Sequence, residues 1–313
     1  MTNIWLKLYK KNKPILALAP MAGWTDPAFR LICLENGADI IYTEMVSVEA
    51  LWRKNKKTLD MLKTLPQEKN VILQLFGSKP ESFKKALKII NFSSFSGIDI
   101  NLGCPAHKVT KTGSGVALMD NKEIAREIIE TTINNINLPV SIKIRSQVKN
   151  TSAIDFIKYI KNLNISAVMI HGRSLKQGFS GEINFEIIKN IKKLLPDIPV
   201  LANGGLNTPE DIKNILIKTN ADGVGIARGA WGNPFIFDNI KKYIKNTTRP
   251  VPTLNKIKKT AVQHATYFLK YNQNLIPLRK QLLQYFKGQK NASKIRQKII
   301  KIKDLDSLKN IKI

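Results

Sequence analysis

The chain is poor in cysteine and histidine and has no long apolar run. Its 313 residues contain two cysteines, Cys33 and Cys104, and no CxxC pair. That is too few for a disulfide framework, so two free thiols in a reducing compartment are expected. The three histidines, at positions 107, 171 and 264, lack metal-ligand spacing, and no metal is expected. No stretch is long and apolar enough to span a bilayer, and the opening MTNIWLKLYKKNKP lacks the apolar centre of a secretion signal. A cytoplasmic protein without membrane association, monomeric, is the expectation. No GxGxxG follows the first apolar run, which counts against a dinucleotide-binding open sheet. Acid is missing from one region altogether: no Asp or Glu occurs from Asn239 to Lys303. Residues 241–313 hold 19 Lys plus Arg against 2 Asp, a balance of +17, whereas the first 240 carry +11 of the total +28. An A/T-rich genome enriches lysine and glutamate codons alike, so this one-sided loss of acid points to a partner with a phosphate backbone.

What is present is a recurring pattern. Short runs rich in Ile and Val, bounded by Gly, Pro or Asn, lie at 15–19, 39–43, 71–76, 97–101, 140–144, 167–171, 200–203 and 223–227. Amphipathic stretches with helix start signals separate most of them. Ser78, Asp120 and Asn207 are the expected caps, and Pro80 and Pro209 suit a first turn. Eight alternations in about 230 residues predict an α/β fold, a closed (β/α)8 TIM barrel over residues 1–240. A small all-helical C-terminal domain, basic on its polar faces, is expected over 241–313.

In such a barrel chemistry collects where the strands end. The ends here carry PMAGWTD, EM, Gln74, NLGCP, Lys143 with Arg145, HGR, NGG and ARGAWGNP. Lys143 is the most informative. In VSIKIR the period of two sets Val140, Ile142 and Ile144 on one face and Ser141, Lys143 and Arg145 on the other, so the cations face the barrel mouth. A buried ammonium needs a partner. That partner is either a carboxylate, Asp99 or Glu44, or a bound anionic cofactor. Gly204 and Gly205, the start of the following helix and Arg228 make a phosphate site between strands seven and eight. Gly103 and Pro105 keep Cys104 out of regular structure, so it sits on a loop.

In that order, APMAGWTDPAFR, INLGCPAHKVTKTGSGVAL, KIR, HGR, ANGGL and ARGAWGNPFIF resemble the tRNA-dihydrouridine synthases, specifically the bacterial branch with a short helical C-terminal domain. The resemblance runs from about residue 15 to 240 and continues more weakly into the tail. It implies an FMN enzyme that uses NADPH to reduce the C5=C6 bond of selected uridines in tRNA. Carried over by motif, Pro20, Met21 and Ala22 lie along the flavin, Gln74 and Lys143 contact its polar edge, and His171 sits near it. Asn203, Gly204, Gly205, Ala227 and Arg228 hold its phosphate, with Ala227 in place of the commoner Gly. Asn101 and Arg145 contact the target uracil, and Arg279 and Lys280 contact tRNA. Cys104 is the counterpart of the family's proton donor, and a thiol, unlike a carboxylic acid, stays mostly protonated at neutral pH. The family's Arg-Lys-His followed by Trp-Tyr is altered, with Gln281 and Gln284 in the His and Trp places.

Two rival readings keep the barrel. A flavin barrel acting on a free pyrimidine, like the dihydroorotate dehydrogenases, has no use for an acid-free basic tail. A catalytically idle tRNA-binding barrel has no use for Cys104, Lys143, His171 and Arg228 together.

Overall fold

The computed structural model describes residues 3–9, 13–247 and 251–312. All eight apolar runs form strands: β1 (Ile15–Leu18), β2 (Ile40–Tyr42), β3 (Val71–Phe76), β4 (Gly97–Asn101), β5 (Val140–Arg145), β6 (Ala167–His171), β7 (Val200–Asn203) and β8 (Gly223–Ile226). Each pairs in parallel with the next, and β8 returns to β1 from Ile15↔Gly223 to Leu18↔Ile226, closing the barrel. The strands differ from the expected runs only at their ends, where Ala19, Asp39, Thr43 and Ala227 fall outside and Arg145 falls inside.

A parallel barrel buries both faces of every strand, which is why the runs read as nearly continuous Ile and Val. Outward residues such as Leu73, Ile98, Val140, Ile142, Ile144 and Val168 pack beneath the helices. The inward face has two zones. Near the N-terminal ends it is apolar: Ile15, Ala17, Ile40, Ile72, Ala167 and Leu201 meet Trp5 of the helix Ile4–Tyr9, which plugs the bottom. Nearer the C-terminal ends it is polar, with Asp99, Ser141, Gln74, Lys143 and Arg145.

The helix starts correct three expected caps. Before the helix Pro80–Leu87 the cap is Lys79, without a side-chain bond, not Ser78. Asn121 rather than Asp120 caps Lys122–Asn135, and Thr208 rather than Asn207 forms a capping box with Asp211 before Pro209–Thr219. In the last case Asn207 and Thr208 both donate backbone N–H to Asp211 Oδ2, but only Thr208 accepts from the first turn. Pro80 and Pro209 do occupy first-turn positions, where no N–H is needed.

The barrel's last helix, Ile236–Ile244, runs through residue 240. After it, helices Leu254–Phe268, Arg279–Tyr285, Ala292–Ile299 and Leu305–Lys309 enclose a second core of Ile257, Phe268, Leu282, Phe286, Ile299 and Leu308. Ala28 and Phe235 of the barrel complete that core, so the tail is docked by apolar burial. Asp26, which caps the barrel helix Pro27–Glu35, also accepts from Tyr271 Oη at 2.8 Å and Gln281 Nε2 at 2.5 Å. Outward, Lys287, Lys290, Lys294, Arg296 and Lys298 are exposed.

Candidate active site

A cavity of about 520 Å³ opens at the C-terminal ends of the strands. Every barrel residue singled out from the motifs lines it. From β1 come Pro20, Met21 and Ala22; from β3 and β4, Gln74, Asn101 and Cys104; from β5 and β6, Lys143, Arg145 and His171. The far wall holds Asn203, Gly204, Gly205, Ala227 and Arg228. Arg279 and Lys280 are not part of this lining.

The polar wall is a continuous chain of hydrogen bonds. Asp99 accepts from Ser141 Oγ at 2.7 Å and Gln74 Nε2 at 2.8 Å, and Gln74 Oε1 accepts from Asn101 Nδ2 at 2.9 Å. Asn101 Oδ1 in turn accepts the backbone N–H of Gly103 at 3.2 Å and Cys104 at 2.9 Å. The Asn101 amide is therefore committed to shaping the cysteine loop, and in this arrangement it is a positioning group rather than one turned to a base. Burial pushes Asp99 up to about 6, with its two donors and Lys143 opposing that rise.

The Cys104 loop rests on the second glycine turn. Cys104 O accepts from Val116 N at 3.1 Å. Gly115 has φ +63°, and a Cβ there would stand 2.8 Å from Cys104 O and 2.9 Å from Val109 Cγ1. Only glycine both adopts that backbone and leaves room for the loop.

Lys143 meets neither Asp99 nor Glu44. Its Nζ donates to Asn203 Oδ1 at 3.1 Å, and Asn203 Nδ2 donates to Gly225 O at 2.6 Å. Burial first, then the Arg145 charge, bring Lys143 down to about 8, so it is an ammonium at neutral pH with protons to spare. Asn203, expected on a phosphate, is the anchor of this lysine. Arg145 donates Nε to Gly103 O at 3.0 Å and Nη1 to Ser174 O and Gly178 O at 3.0 and 2.9 Å. It thereby ties the cysteine loop to the loop after β6.

His171 is held down to about 2 by burial and then by Lys143 and Arg145, against a weaker opposing contact with the Arg173 backbone, so its ring is neutral, and its buried Nδ1 makes no hydrogen bond of normal geometry. Gly204, at φ +113°, brings bare backbone against this ring: a Cβ would lie 3.0 Å from His171 Nε2. Beside it Arg173 donates Nε to Gly181 O at 2.8 Å while its buried Nη1 is unpartnered. Arg173, the third residue of the HGR motif, has no role assigned by the motif resemblance; burial first, and then the charge of Arg228, lowers it from its ordinary value. Phe179 lies between Arg145 and Arg228, 5.6 and 5.1 Å from their guanidinium carbons.

In the tail, Arg279 donates Nε to Ile302 O at 2.7 Å and Nη2 to the same oxygen, so one edge of its guanidinium is bound within the helical bundle. Lys280 is exposed, with Nζ 4.7 Å from the Trp24 ring. Gln281 is buried against Asp26. Among the described residues no three His, Cys, Asp or Glu gather as a metal would need, and no helix is long and apolar enough to cross a membrane.

The chain is 34% identical over 295 residues to tRNA-dihydrouridine synthase B of Vibrio vulnificus, covering 92% of this chain and 90% of that one. It is 36% identical over 233 residues to tRNA-dihydrouridine synthase B of Yersinia pestis, covering 73% and 72%. Among solved structures, histamine dehydrogenase from Rhizobium sp. 4-9 aligns with a TM-score of 0.53 at 13% identity, over 80% of this chain and 48% of that one, a likeness of fold alone. The family described as Dihydrouridine synthase (Dus) matches residues 17–312, from the first strand through the last helix, and the chain belongs to that family.

Proposed function

We propose that the protein reduces the C5=C6 bond of uridines in tRNA, with FMN in the cavity and NADPH as the electron source. The convergence of Cys104, Lys143, Arg145 and His171 on one cavity beside a glycine cradle carries this reading.

The residues present suit FMN. The unpartnered Arg173 Nη1 and the exposed Arg228, beside the bare backbone of Gly204 and Gly205, suit a phosphate. Pro20, Met21 and Ala22 offer an apolar wall for a flat ring. Lys143 and the buried His171 Nδ1 suit its polar edge. When bound and reduced by NADPH, FMN would supply the hydride that C6 of the uracil ring takes.

The chain supplies the rest. The Lys143 ammonium faces the region where negative charge grows during electron transfer, and Asn203 keeps it aimed there without neutralising it. The Cys104 thiol donates the proton that C5 requires. Asn101 fixes that thiol through the Cys104 amide, and Arg145 couples the loop to the opposite rim. Residues 1–240 form the catalytic barrel, and the tail from 241 grips phosphates. A cytoplasmic monomer working on tRNA is consistent with all of these parts.

The test is mass spectrometry of tRNA incubated with the protein, FMN and NADPH. Wild type is expected to form dihydrouridine, and Cys104→Ala to form it about 10²–10⁴ times more slowly while keeping its flavin. Equal rates from both would remove the thiol from the mechanism, and no product from wild type would remove the activity.

A further inference from the structure

Two tryptophans 207 positions apart meet at the rim of the cavity. Trp24, from the loop after β1, and Trp231, from the loop after β8, stack with ring centroids 4.1 Å apart and planes 16° off parallel. Both line the cavity. Trp24 is buried, with Trp231 as one ring neighbour and Lys280 as another, but Trp231 is only partly buried.

The pair is held by the junction between barrel and tail. Two residues after Trp24, Asp26 takes hydrogen bonds from Tyr271 and Gln281. One residue after Trp231, Gly232 lies so close to the tail that a Cβ would meet the backbone of Gln284 at 2.2 Å. Lys280, next to Gln281, is thereby set above Trp24. Trp231 Nε1 also donates to Met21 Sδ at 3.1 Å, which fixes the tilt of its ring. Beside this stack the rim is open, with Ala22 and Gly23 exposed, and the exposed Lys280 lies against the Trp24 ring.

A preorganised indole pair with an ammonium group against it is the combination that unpaired nucleic acid takes, base on ring and phosphate on cation. We propose that Trp231, backed by Trp24 and flanked by Lys280, is a stacking platform for the base adjoining the reactive uridine, engaged when that uridine leaves the RNA stack. The inference rests on tRNA being the substrate. A uridine extruded into the cavity leaves its neighbour unstacked at the mouth, and the indole replaces the lost stacking partner.

The experiment measures binding of an unmodified tRNA transcript to the flavin-loaded full-length protein for wild type, Trp231→Leu, Trp231→Tyr and Lys280→Ala. Trp231→Leu is expected to raise Kd about tenfold, Trp231→Tyr to stay within about threefold because it keeps a flat face, and Lys280→Ala to flatten the salt dependence by about one ion. A Leu variant that binds within twofold of wild type would overturn the proposal. So would a Tyr variant as weak as the Leu one, since that pattern belongs to positioning of Met21 rather than to stacking. Should the Leu variant fail to fold, an unchanged salt slope in Lys280→Ala overturns it instead. Wild type that binds no tRNA defeats the substrate reading itself, whereas wild type that binds and reduces tRNA alongside an indifferent Leu variant defeats only the platform.

Discussion

Gln281 of the tail donates to Asp26 of the barrel, 255 positions earlier, and the same carboxylate caps the first barrel helix. One acid therefore orders a helix start and a domain junction. Asp26→Ala should cost about 2–4 kcal/mol, since a cap and two further donors lose their acceptor. Gln281→Leu should cost about 1 kcal/mol, since it removes one of those bonds. Urea denaturation of the two variants checks the ranking, and equal losses would mean that neither the cap nor the Tyr271 bond contributes.

Lys143→Met separates stability from function. Burial lowers the lysine to about 8 from its ordinary 10.5, so the folded state binds its proton less readily than the unfolded chain. Stability from this group is lowest below pH 8 and rises with pH toward 10.5. The flavin-free Met variant should accordingly melt higher than wild type at pH 7, while holding FMN at least tenfold more weakly by the loss of a buried charged partner. In wild type FMN affinity should fall as pH rises through about 8, and in the variant that limb should vanish. Fluorescence titration of FMN from pH 6 to pH 10 reads both.

Gly115→Ala tests the support of the cysteine loop. The new methyl would press on Cys104 O and force a strained φ, so the loop must shift. Dihydrouridine formation should fall at least tenfold while flavin content stays near that of wild type, because the glycines and arginines proposed to hold the flavin phosphate lie on other loops. Loss of flavin in parallel with activity would show that the loop does more than carry the thiol.

Gly204→Ala should have the opposite profile. Its methyl would meet Ile183 Cδ1 at 2.8 Å and the His171 ring at 3.0 Å, at a backbone angle that alanine resists. A stability loss of about 1–3 kcal/mol and flavin-free purified protein are expected, measured by thermal melting and absorbance near 450 nm, about where oxidised flavins absorb.

The fold was legible because barrel strands announce themselves twice, by apolar continuity and by the glycines and polar residues where they stop. VSIKIR even disclosed which side chains point inward. The caps at Lys79, Asn121 and Thr208 were each missed by one residue, because adjacent polar residues carry the same signal and only the path out of the strand decides between them. Roles across the cavity were less legible than membership. Asn101 and Asn203 sit where the motifs put them, but their amides are spent on Cys104 and Lys143, and no spacing in one strand reveals a bond to another. Arg279 lies in a basic tail yet turns inward to Ile302. The Trp24–Trp231 stack and the Gln281–Asp26 bond join residues more than 200 positions apart, and single-sequence periodicity has no access to such pairs.

The helix Ile4–Tyr9 has one further consequence. With Trp5 seated among the inward residues of the barrel floor, the described residues close the chamber from below, and the cavity is lined from the C-terminal ends of the strands. On the proposed function, a dinucleotide reductant and an extruded nucleoside would both enter from that open end and are expected to take turns. Initial-rate plots against either substrate should be parallel lines, the signature of a shuttle that empties before it refills.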